Sequence, residues 1–213
     1  MDQQAIRIGR AGWSVAPEQA ERFAPGASWL ARYATRLPAV EINSSFYRSH
    51  RPATYARWAA TTPDAFRFAV RLPRTITHER RLRDCTAPLR SFLDAAGALG
   101  AKLGPLLVQL PPSLAFDPAI AHSFWQLLRE RCPGEVVCEP RHPGWFTPTA
   151  DRLLQTWQVA RVAANPPRNT DSRRLGAGLR RLTVCRRRIS GPERWISDFD
   201  ISVARRAPRK RAV

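Results

Sequence analysis

Seven polar side chains lie at or just beyond the ends of apolar stretches, and their chemical types suit acid–base catalysis and anion binding. They are Glu41, Asn43, Arg71, Gln109, Glu139, Arg141 and His142. Glu41 lies inside an apolar stretch, where a carboxylate is costly unless a partner compensates it. Carboxylates, an imidazole and guanidinium groups can together supply an acid, a base and an anion clamp. These residues are therefore candidate catalytic and substrate-binding groups.

The elements that must position these residues are repeated strand–helix pairs. Apolar stretches typical of strands begin near residues 6, 39, 66, 106, 136 and 159, each followed by a helix-sized segment. Such alternation predicts a parallel sheet. Polar residues at the carboxyl ends favour an α/β fold of the TIM-like (β/α) barrel type, because such barrels gather catalytic groups at one mouth. A doubly wound sheet is the alternative, although no glycine-rich phosphate loop follows the first strand.

Local signals mark where several of these elements begin and end. Gly9 and Gly12 are predicted to end the first strand. Ser28, Thr86 and Asp117 are predicted to cap helices, because their side-chain oxygens can accept hydrogen bonds from the free N–H groups of a first turn. The stretch between residues 74 and 84 is predicted to be a long loop.

The strand–helix pattern stops at residue 166 and divides the chain into a predicted barrel core over residues 1–165 and a basic tail over residues 166–213. A seventh strand is predicted over residues 182–185, and residues 203–213 contain no apolar run for an eighth. A closed barrel needs every strand, because a gap leaves two edges with unpaired backbone groups. We therefore expect an incomplete barrel in which the last one or two βα units are missing or aberrant.

The net charge of +18 is concentrated towards the carboxyl terminus. Residues 1–165 carry 21 basic and 13 acidic side chains (+8), whereas residues 166–213 carry 14 and 4 (+10). A basic surplus is typical of nucleic-acid-binding proteins, although the near-exclusive use of arginine also indicates a GC-rich coding sequence. Trp195 and Phe199 are the only aromatic residues of the tail, which is few for an arm that binds single strands by stacking.

The composition favours a globular cytoplasmic protein with reduced thiols. A hydrophobic fraction of 44% is typical of a folded domain. The sequence lacks an apolar run long enough to span a membrane and a signal-peptide pattern at residue 1, so we expect no membrane association. Cys85, Cys132, Cys138 and Cys185 have neither zinc-site spacing nor the density of a disulfide framework, and are expected to be buried thiols.

Six motifs resemble, in order and spacing, those of the YecE-like family, also called domain of unknown function 72. They are residues 11–14 (AGWS), 40–47 (VEINSSFY), 66–70 (FRFAV), 76–79 (ITHE), 103–113 (LGPLLVQLPPS) and 139–143 (EPRHP). The resemblance covers residues 6–165 and implies a TIM-like barrel of bacterial and archaeal cytoplasmic proteins, without an established reaction. It also implies further strands and helices, which residues 184–192 echo only in distorted form. We hypothesise a frameshift or gene decay near Pro167, because GC-rich DNA read out of frame encodes arginine, serine, alanine and proline.

The predicted site combines four candidate catalytic residues with six candidate substrate-binding residues. The catalytic candidates are Glu41, Glu139, His142 and His78, and the binding candidates are Asn43, Tyr47, Arg71, Gln109, Arg141 and Trp13. Each has a structural alternative. Glu41 can form a buried ion pair with Arg71 or Arg141, and His142 can be a structural histidine whose ring is fixed by hydrogen bonds.

The remaining candidates have equally plain alternatives. His78 lies beside Glu79 in the predicted loop and can be a surface or capping residue. Gln109 can satisfy backbone groups where its strand ends. Trp13 and Tyr47 can stack on a ligand, but aromatic side chains more often belong to the core.

Arg71 stands where many members of the family carry lysine. Arginine stays charged and forms no Schiff base, so it argues against amine nucleophilic catalysis and is compatible with clamping a phosphate or a carboxylate. The candidate carboxylates and histidines can also hold a divalent cation, whereas Arg71 and Arg141 would repel one. We expect a metal-free, anion-binding pocket, and the cofactor is unknown from the sequence.

Three functional interpretations follow. The first is an enzyme-like barrel that binds a small anionic or phosphate-containing molecule through Arg71 and Arg141, with Glu41 or Glu139 as acid or base and His142 as partner. The second is a nucleic-acid-binding protein that uses the basic tail. The third is a truncated product without function, whose incomplete barrel exposes apolar surface.

Overall fold

Six parallel strands form the centre of the fold. The structure, a computed structural model, describes residues 7–165, 183–189 and 196–202, with side-chain environments over residues 7–162. The strands are β1 (Arg7–Ala11), β2 (Ala39–Ile42), β3 (Arg67–Arg71), β4 (Leu103–Gln109), β5 (Val136–Glu139) and β6 (Ala160–Arg161). Each pairs in parallel with the next along the chain. The result is a curled, half-barrel sheet in an α/β fold, which confirms the predicted alternation.

Five α-helices connect the parallel strands. They are α1 (Trp29–Ala34), α2 (Pro52–Thr61), α3 (Thr86–Ala96), α4 (Pro118–Arg129) and α5 (Pro148–Thr156). Ser28 accepts a hydrogen bond from the Ala31 N–H and Asp117 accepts two at the start of α4, as predicted for caps. The predicted cap at Thr86 is wrong, because α3 begins with that residue and its N-cap position is Cys85. In the described parts of the chain, no helix is both long and apolar enough to cross a membrane.

Three further strands extend the sheet beyond the parallel set. They are β7 (Ala163–Asn165), β8 (Thr183–Ile189) and β9 (Ile196–Ser202). β8 and β9 pair antiparallel, β9 pairs antiparallel with β1, and β7 pairs in parallel with β8. The sheet order is therefore β6-β5-β4-β3-β2-β1-β9-β8-β7. The strands at its two ends, β6 and β7, are separated along the chain only by Val162. The strand predicted over residues 182–185 is longer than expected and runs through three arginines, and residues 203–213 lie outside the described residues.

The parallel strands separate two apolar layers, because successive side chains alternate between the faces of a sheet. One layer packs against the helices and contains Val40, Phe68, Val70, Leu106 and Val108 among many others. The other face carries a small cluster of Ala39, Ala69, Leu107, Val137, Ala160 and Val162. The site residues of β2 to β5 lie on this second face, because each is two residues further along its strand than a member of the small cluster.

The first two strands approach each other closely around Gly9. This glycine lies inside β1, opposite Ala39, rather than in the predicted turn, and a Cβ atom there would meet the Ala39 carbonyl oxygen at 2.2 Å. The Tyr33 hydroxyl joins the same strands, since it donates to the Ala39 carbonyl (2.8 Å) and accepts from the Arg10 N–H (2.9 Å). Gly12, at a φ of +83°, supplies the expected turn directly after β1.

Several arginines act within the fold as caps for backbone carbonyl groups. Arg32 donates to the carbonyl groups of Ala20, Phe23 and Ala24 in the segment before α1. Arg129 donates to four more, at the turns that precede β5 and β6. These guanidinium groups donate to carbonyl groups of the protein itself, so fewer of their N–H groups are available to an external ligand.

Candidate functional site

Four of the predicted site residues stand together at the carboxyl ends of β2 to β5. Gln109 pairs with Glu139, Arg71 with Leu107 and Glu41 with Ala69 across adjacent strands. All four polar side chains are at most 8% exposed. The register thus places two carboxylates, a guanidinium and an amide on the face of the sheet that carries the small apolar cluster.

Arg71 is held by contacts on three sides. Its Nη1 donates to Asn43 Oδ1 (2.7 Å), and its Nη2 donates to Gln109 Oε1. The guanidinium carbon lies 3.5 Å from the centroid of the Phe46 ring, a cation–π contact. Two predicted binding residues, Asn43 and Gln109, therefore orient the guanidinium from the strands on either side of β3.

Glu139 and Arg141 form an ion pair at the end of β5. Arg141 Nη2 donates to Glu139 Oε1 at 2.5 Å, while Glu139 is 2% exposed and the Arg141 side chain is 22% exposed. Arg141 thus pairs with Glu139, which lies two residues before it at the end of the same strand. Because the guanidinium keeps solvent access, it can exchange a water molecule for an anionic ligand without unfolding the strand end.

His78 belongs to the same group of residues although the sequence places it in a loop. Residues Thr75–Glu79 form a π-helical turn after β3, a geometry that often occurs at functional sites. The His78 ring packs edge-on against the Phe46 ring that also contacts Arg71, with a centroid distance of 4.9 Å. Burial lowers the pKa of His78 below its usual value of 6.5, and the positive charges of nearby arginines lower it further. The ring is therefore neutral near neutral pH and suited to accept a proton.

Three predicted site residues have structural surroundings instead. His142 caps the short helix Pro143–Phe146, since its Nδ1 accepts the Gly144 N–H at 3.0 Å. Trp13 packs edge-on against Trp58 with ring centroids 5.0 Å apart. Tyr47 is 67% exposed and contacts Phe46. Their predicted roles in catalysis and ligand binding stay predictions.

Two hydroxyl residues support the site, and they lie in sequence motifs that gave them no predicted role. Ser45 donates to the Ile42 carbonyl (2.8 Å) and the Arg71 carbonyl (2.6 Å), and so fixes the segment with Phe46 against β3. Thr77 is fully buried, with its Oγ1 2.8 Å from His78 Nδ1. Only their direct adjacency to Phe46 and His78 could have suggested them.

A groove with a volume of about 730 Å³ lies on the outer side of the fold between α2 and α3. Its lining includes Ser45, His50, Tyr55 and Arg90 but none of the ten candidate site residues. Over the described parts of the chain, no group of three or more histidine, cysteine, aspartate or glutamate side chains is arranged to hold a metal ion. The polar ends of β2 to β5 are therefore the best candidate for a chemical site.

Cys85, Cys132 and Cys138 are buried free thiols, and burial suppresses their reactivity. It raises the pKa of Cys85 to about 11, which leaves about one thiolate in a thousand at pH ~8. We expect iodoacetamide to leave Cys85 unmodified in the native protein and to alkylate it after denaturation, as measured by peptide mass spectrometry. Rapid alkylation of Cys85 under native conditions would contradict this burial.

Comparisons with known proteins agree with the family resemblance and with the fold. The family model described as "Protein of unknown function DUF72" matches residues 7–203, and so extends beyond residue 165, where the resemblance seen in the sequence ends. UPF0759 protein YecE of Escherichia coli K12 is 34% identical over 123 residues, or 57% of this chain and 44% of that protein. The same protein of E. coli O157:H7 matches equally well. The chain thus aligns with less than half the length of these curated relatives.

Solved structures of similar proteins share the fold. A DUF72 family protein of Enterococcus faecalis V583 has a TM-score of 0.61 at 21% identity, covering 74% of this chain and 60% of that one. A DUF72 family protein of Thermotoga maritima MSB8 has a TM-score of 0.59 at 21% identity, covering 73% and 63%. With the family model spanning nearly the whole sequence, this chain belongs to the DUF72 family of proteins of unknown function.

Proposed function

We propose that this protein is an enzyme that binds a small anionic molecule, such as a phosphate ester or a carboxylate, at the carboxyl ends of β2 to β5. The observation that carries the proposal is the fixed guanidinium of Arg71. Two side-chain amides and an aromatic ring hold it in place, so its orientation costs little when a ligand binds. Planar guanidinium groups match the oxygen geometry of phosphates and carboxylates.

Acid–base chemistry would come from the groups next to this guanidinium. His78, neutral near pH 7, accepts a proton from the bound substrate, and Glu139 serves as the second acid–base group once Arg141 turns to the ligand. Glu41 completes the buried charged set. His78 replaces His142 as the preferred imidazole, because His78 packs against the Phe46 ring that contacts Arg71, whereas His142 caps the short helix Pro143–Phe146.

The proposal extends to the architecture around the site. We propose that the six parallel strands belong to a TIM-like barrel in which β7, β8 and β9 take the place of the last βα units. The TM-scores of 0.61 and 0.59 support a barrel of this kind. In TIM barrels the catalytic groups come from the carboxyl ends of several strands, as do the residues proposed here.

Inorganic phosphate is a simple probe of the proposed anion site. At a concentration ten times its Kd, phosphate should raise the free energy of unfolding by about 1.4 kcal/mol and the melting temperature by roughly 3–6 °C. Chloride at the same ionic strength should have no such effect. Arg141→Met should remove most of the phosphate-dependent rise, whereas Arg57→Met, on the exposed face of α2, should leave it intact.

Equal behaviour of the Arg141 and Arg57 variants would reject the anion site. The same titration separates it from the nucleic-acid interpretation, which rests on the +10 charge of residues 166–213. A polyanion bound through several phosphates loses affinity steeply as salt rises. Binding of duplex DNA that shows this steep dependence, without any phosphate effect at the strand ends, would favour the second interpretation.

A further inference from the structure

Thr77 occupies an unusual place behind the candidate base. Its side chain is fully buried, so its hydroxyl group has no access to water. Two acceptor positions lie within reach of Oγ1, namely the Pro73 carbonyl oxygen at 3.4 Å and His78 Nδ1 at 2.8 Å. A threonine hydroxyl has one proton to donate and lone pairs with which to accept. The destination of that proton therefore decides the tautomer of His78.

Two arrangements of protons are possible, and they differ in the number of hydrogen bonds. If the hydroxyl donates to Nδ1, it makes one hydrogen bond, and the Pro73 carbonyl keeps only the backbone N–H groups of Ile76 (3.1 Å) and Thr77 (3.4 Å) as donors. If the hydroxyl donates to Pro73, the Nδ1–H of His78 donates to Oγ1, and both contacts are satisfied in a chain. The buried hydroxyl thus makes two hydrogen bonds in the second arrangement and one in the first, and consecutive hydrogen bonds strengthen each other. The second arrangement is therefore favoured.

The segment that carries both residues is rigidly anchored. The residues directly after this π-helical turn include three non-glycine residues in the left-handed region, Arg81 (φ 53°), Leu82 (φ 68°) and Asp84 (φ 50°). Arg81 donates to the carbonyl and the hydroxyl of Ser113 in the segment after β4, and Leu82 is buried. Backbone strain of this kind persists only where surrounding contacts impose it, and it is concentrated at functional sites.

The ring of His78 is also fixed from the side of the anion site. It packs against Phe46, whose face lies against Arg71. The charged groups that act on it are Arg71, Arg74, Arg141 and Glu79. Three positive charges against one negative charge favour the neutral ring, in which only one nitrogen carries a proton.

We infer that Thr77 is a positioning residue that fixes the Nδ1–H tautomer of His78 and leaves Nε2 as the proton acceptor of the anion site. This inference rests on the proposed function for the role of the base, but not for the tautomer itself. It gives a role to the buried hydroxyl of Thr77, which takes no part in the proposed anion binding. It also predicts the opposite tautomer for His142, whose Nδ1 accepts a backbone N–H.

The histidine tautomers can be measured on the full chain labelled with ¹⁵N, by two-bond correlation of ring nitrogens and carbon-bound protons above the pKa of His78. We expect His78 to show a protonated Nδ1 and an unprotonated Nε2, and His142 to show the reverse pattern. His142 is thus an internal reference in the same spectrum. A His78 pattern identical to that of His142 would overturn the inference in the unmodified protein, whatever the variants do.

Two substitutions separate the hydroxyl from the volume of the side chain. Thr77→Val keeps the branched shape, and it should return His78 to the tautomer mixture of a free imidazole. Thr77→Ser keeps the hydroxyl and should retain the Nδ1–H pattern. If Thr77→Val leaves the pattern unchanged, the tautomer is set by another group and the inference is wrong.

Titration with inorganic phosphate distinguishes failure of this inference from failure of the proposed function. Phosphate bound near Arg71 should shift the ring resonances of His78 and raise its pKa, because an anion favours the imidazolium. Resonances of His122, on α4, should not move. A correct tautomer without a phosphate response would keep the positioning role of Thr77 and reject the anion site, and a phosphate response with the wrong tautomer would do the opposite.

Discussion

Replacing Arg129 with methionine should lower the free energy of unfolding by about 2–3 kcal/mol and the melting temperature by roughly 4–12 °C. The guanidinium donates to the carbonyl groups of Trp157 (2.7 Å) and Gln158 (2.5 Å) before β6. It also donates to those of Cys132 (3.2 Å) and Gly134 (2.6 Å) before β5. One side chain thus connects the turn before β5 to the turn before β6 through hydrogen bonds.

The expected size follows from what the carbonyl groups lose. Hydrogen bonds to a charged donor contribute about 1.5–3 kcal/mol, and methionine retains the packing of the aliphatic stem but donates nothing. Gln158 adds to the cost because it is a non-glycine residue at a φ of 52°, a conformation that depends on such contacts. Arg129→Lys should be intermediate, since a single ammonium cannot hold both turns at once.

Arg131→Met is the matched control for loss of charge. Arg131 is exposed two residues further along, and its substitution should change the stability by no more than about 0.5 kcal/mol. Thermal and urea unfolding of the variants would provide the measurement. Equal stabilities of the Arg129 and Arg131 variants would show that the carbonyl contacts contribute nothing.

The positions of most strands could be predicted because apolar stretches in this chain are bounded by proline, glycine and polar residues. β2 and β5 begin and end as expected. β4 begins three residues earlier than expected, because Gly104 lies inside the strand, where a Cβ atom would lie 3.1 Å from the Phe68 carbonyl oxygen. A glycine signals either a turn or a close backbone approach, and the sequence alone does not distinguish the two.

The common location of the site residues could also be predicted, since the carboxyl ends of parallel strands meet at one mouth. Which groups pair there could not. The pairing of Glu139 with Arg141, and of Arg71 with Asn43 and Gln109, depends on strand register and side-chain rotamers. Those quantities are set by packing between distant parts of the chain, which no local pattern encodes.

The roles of the two histidines illustrate the same limit. His142 precedes Pro143 and Gly144, and a short helix there exposes a backbone N–H that its Nδ1 caps. His78 lies in a stretch with no periodic pattern, and only the contact with Phe46 brings it to Arg71. A histidine beside an acidic residue in a predicted loop is usually a surface group. Tertiary packing is therefore the reason why the proposed function prefers His78 to His142.

Arg71→Met should weaken phosphate binding about 10- to 100-fold, the largest functional effect that we expect at the proposed site. The estimate corresponds to the loss of one charge-assisted hydrogen-bonding group, about 1.5–3 kcal/mol. Arg71→Lys should also weaken binding, because a lysine ammonium cannot donate to both flanking amides and also offer an anion the planar fork of N–H donors of a guanidinium. Calorimetric titration with inorganic phosphate would measure both.

The same substitution should also destabilise the protein, and the two effects must be separated. Gln109 is 6% exposed and loses the donor to its Oε1, which costs about 1–3 kcal/mol. Asn43 is only half-buried, so water can replace the guanidinium there. Weak phosphate binding by a partly unfolded variant would therefore say nothing about the ligand site.

A double substitution resolves this ambiguity. Replacing Gln109 with leucine in the Arg71→Met background removes the unsatisfied amide, and substituting both partners of a buried contact by apolar groups is close to neutral. We expect the double variant to regain most of the lost stability while phosphate binding stays as weak as in Arg71→Met. The expected result is thus a recovery of stability without a recovery of binding. A double variant that regained phosphate affinity together with stability would show that Arg71 supports the fold and does not bind the anion.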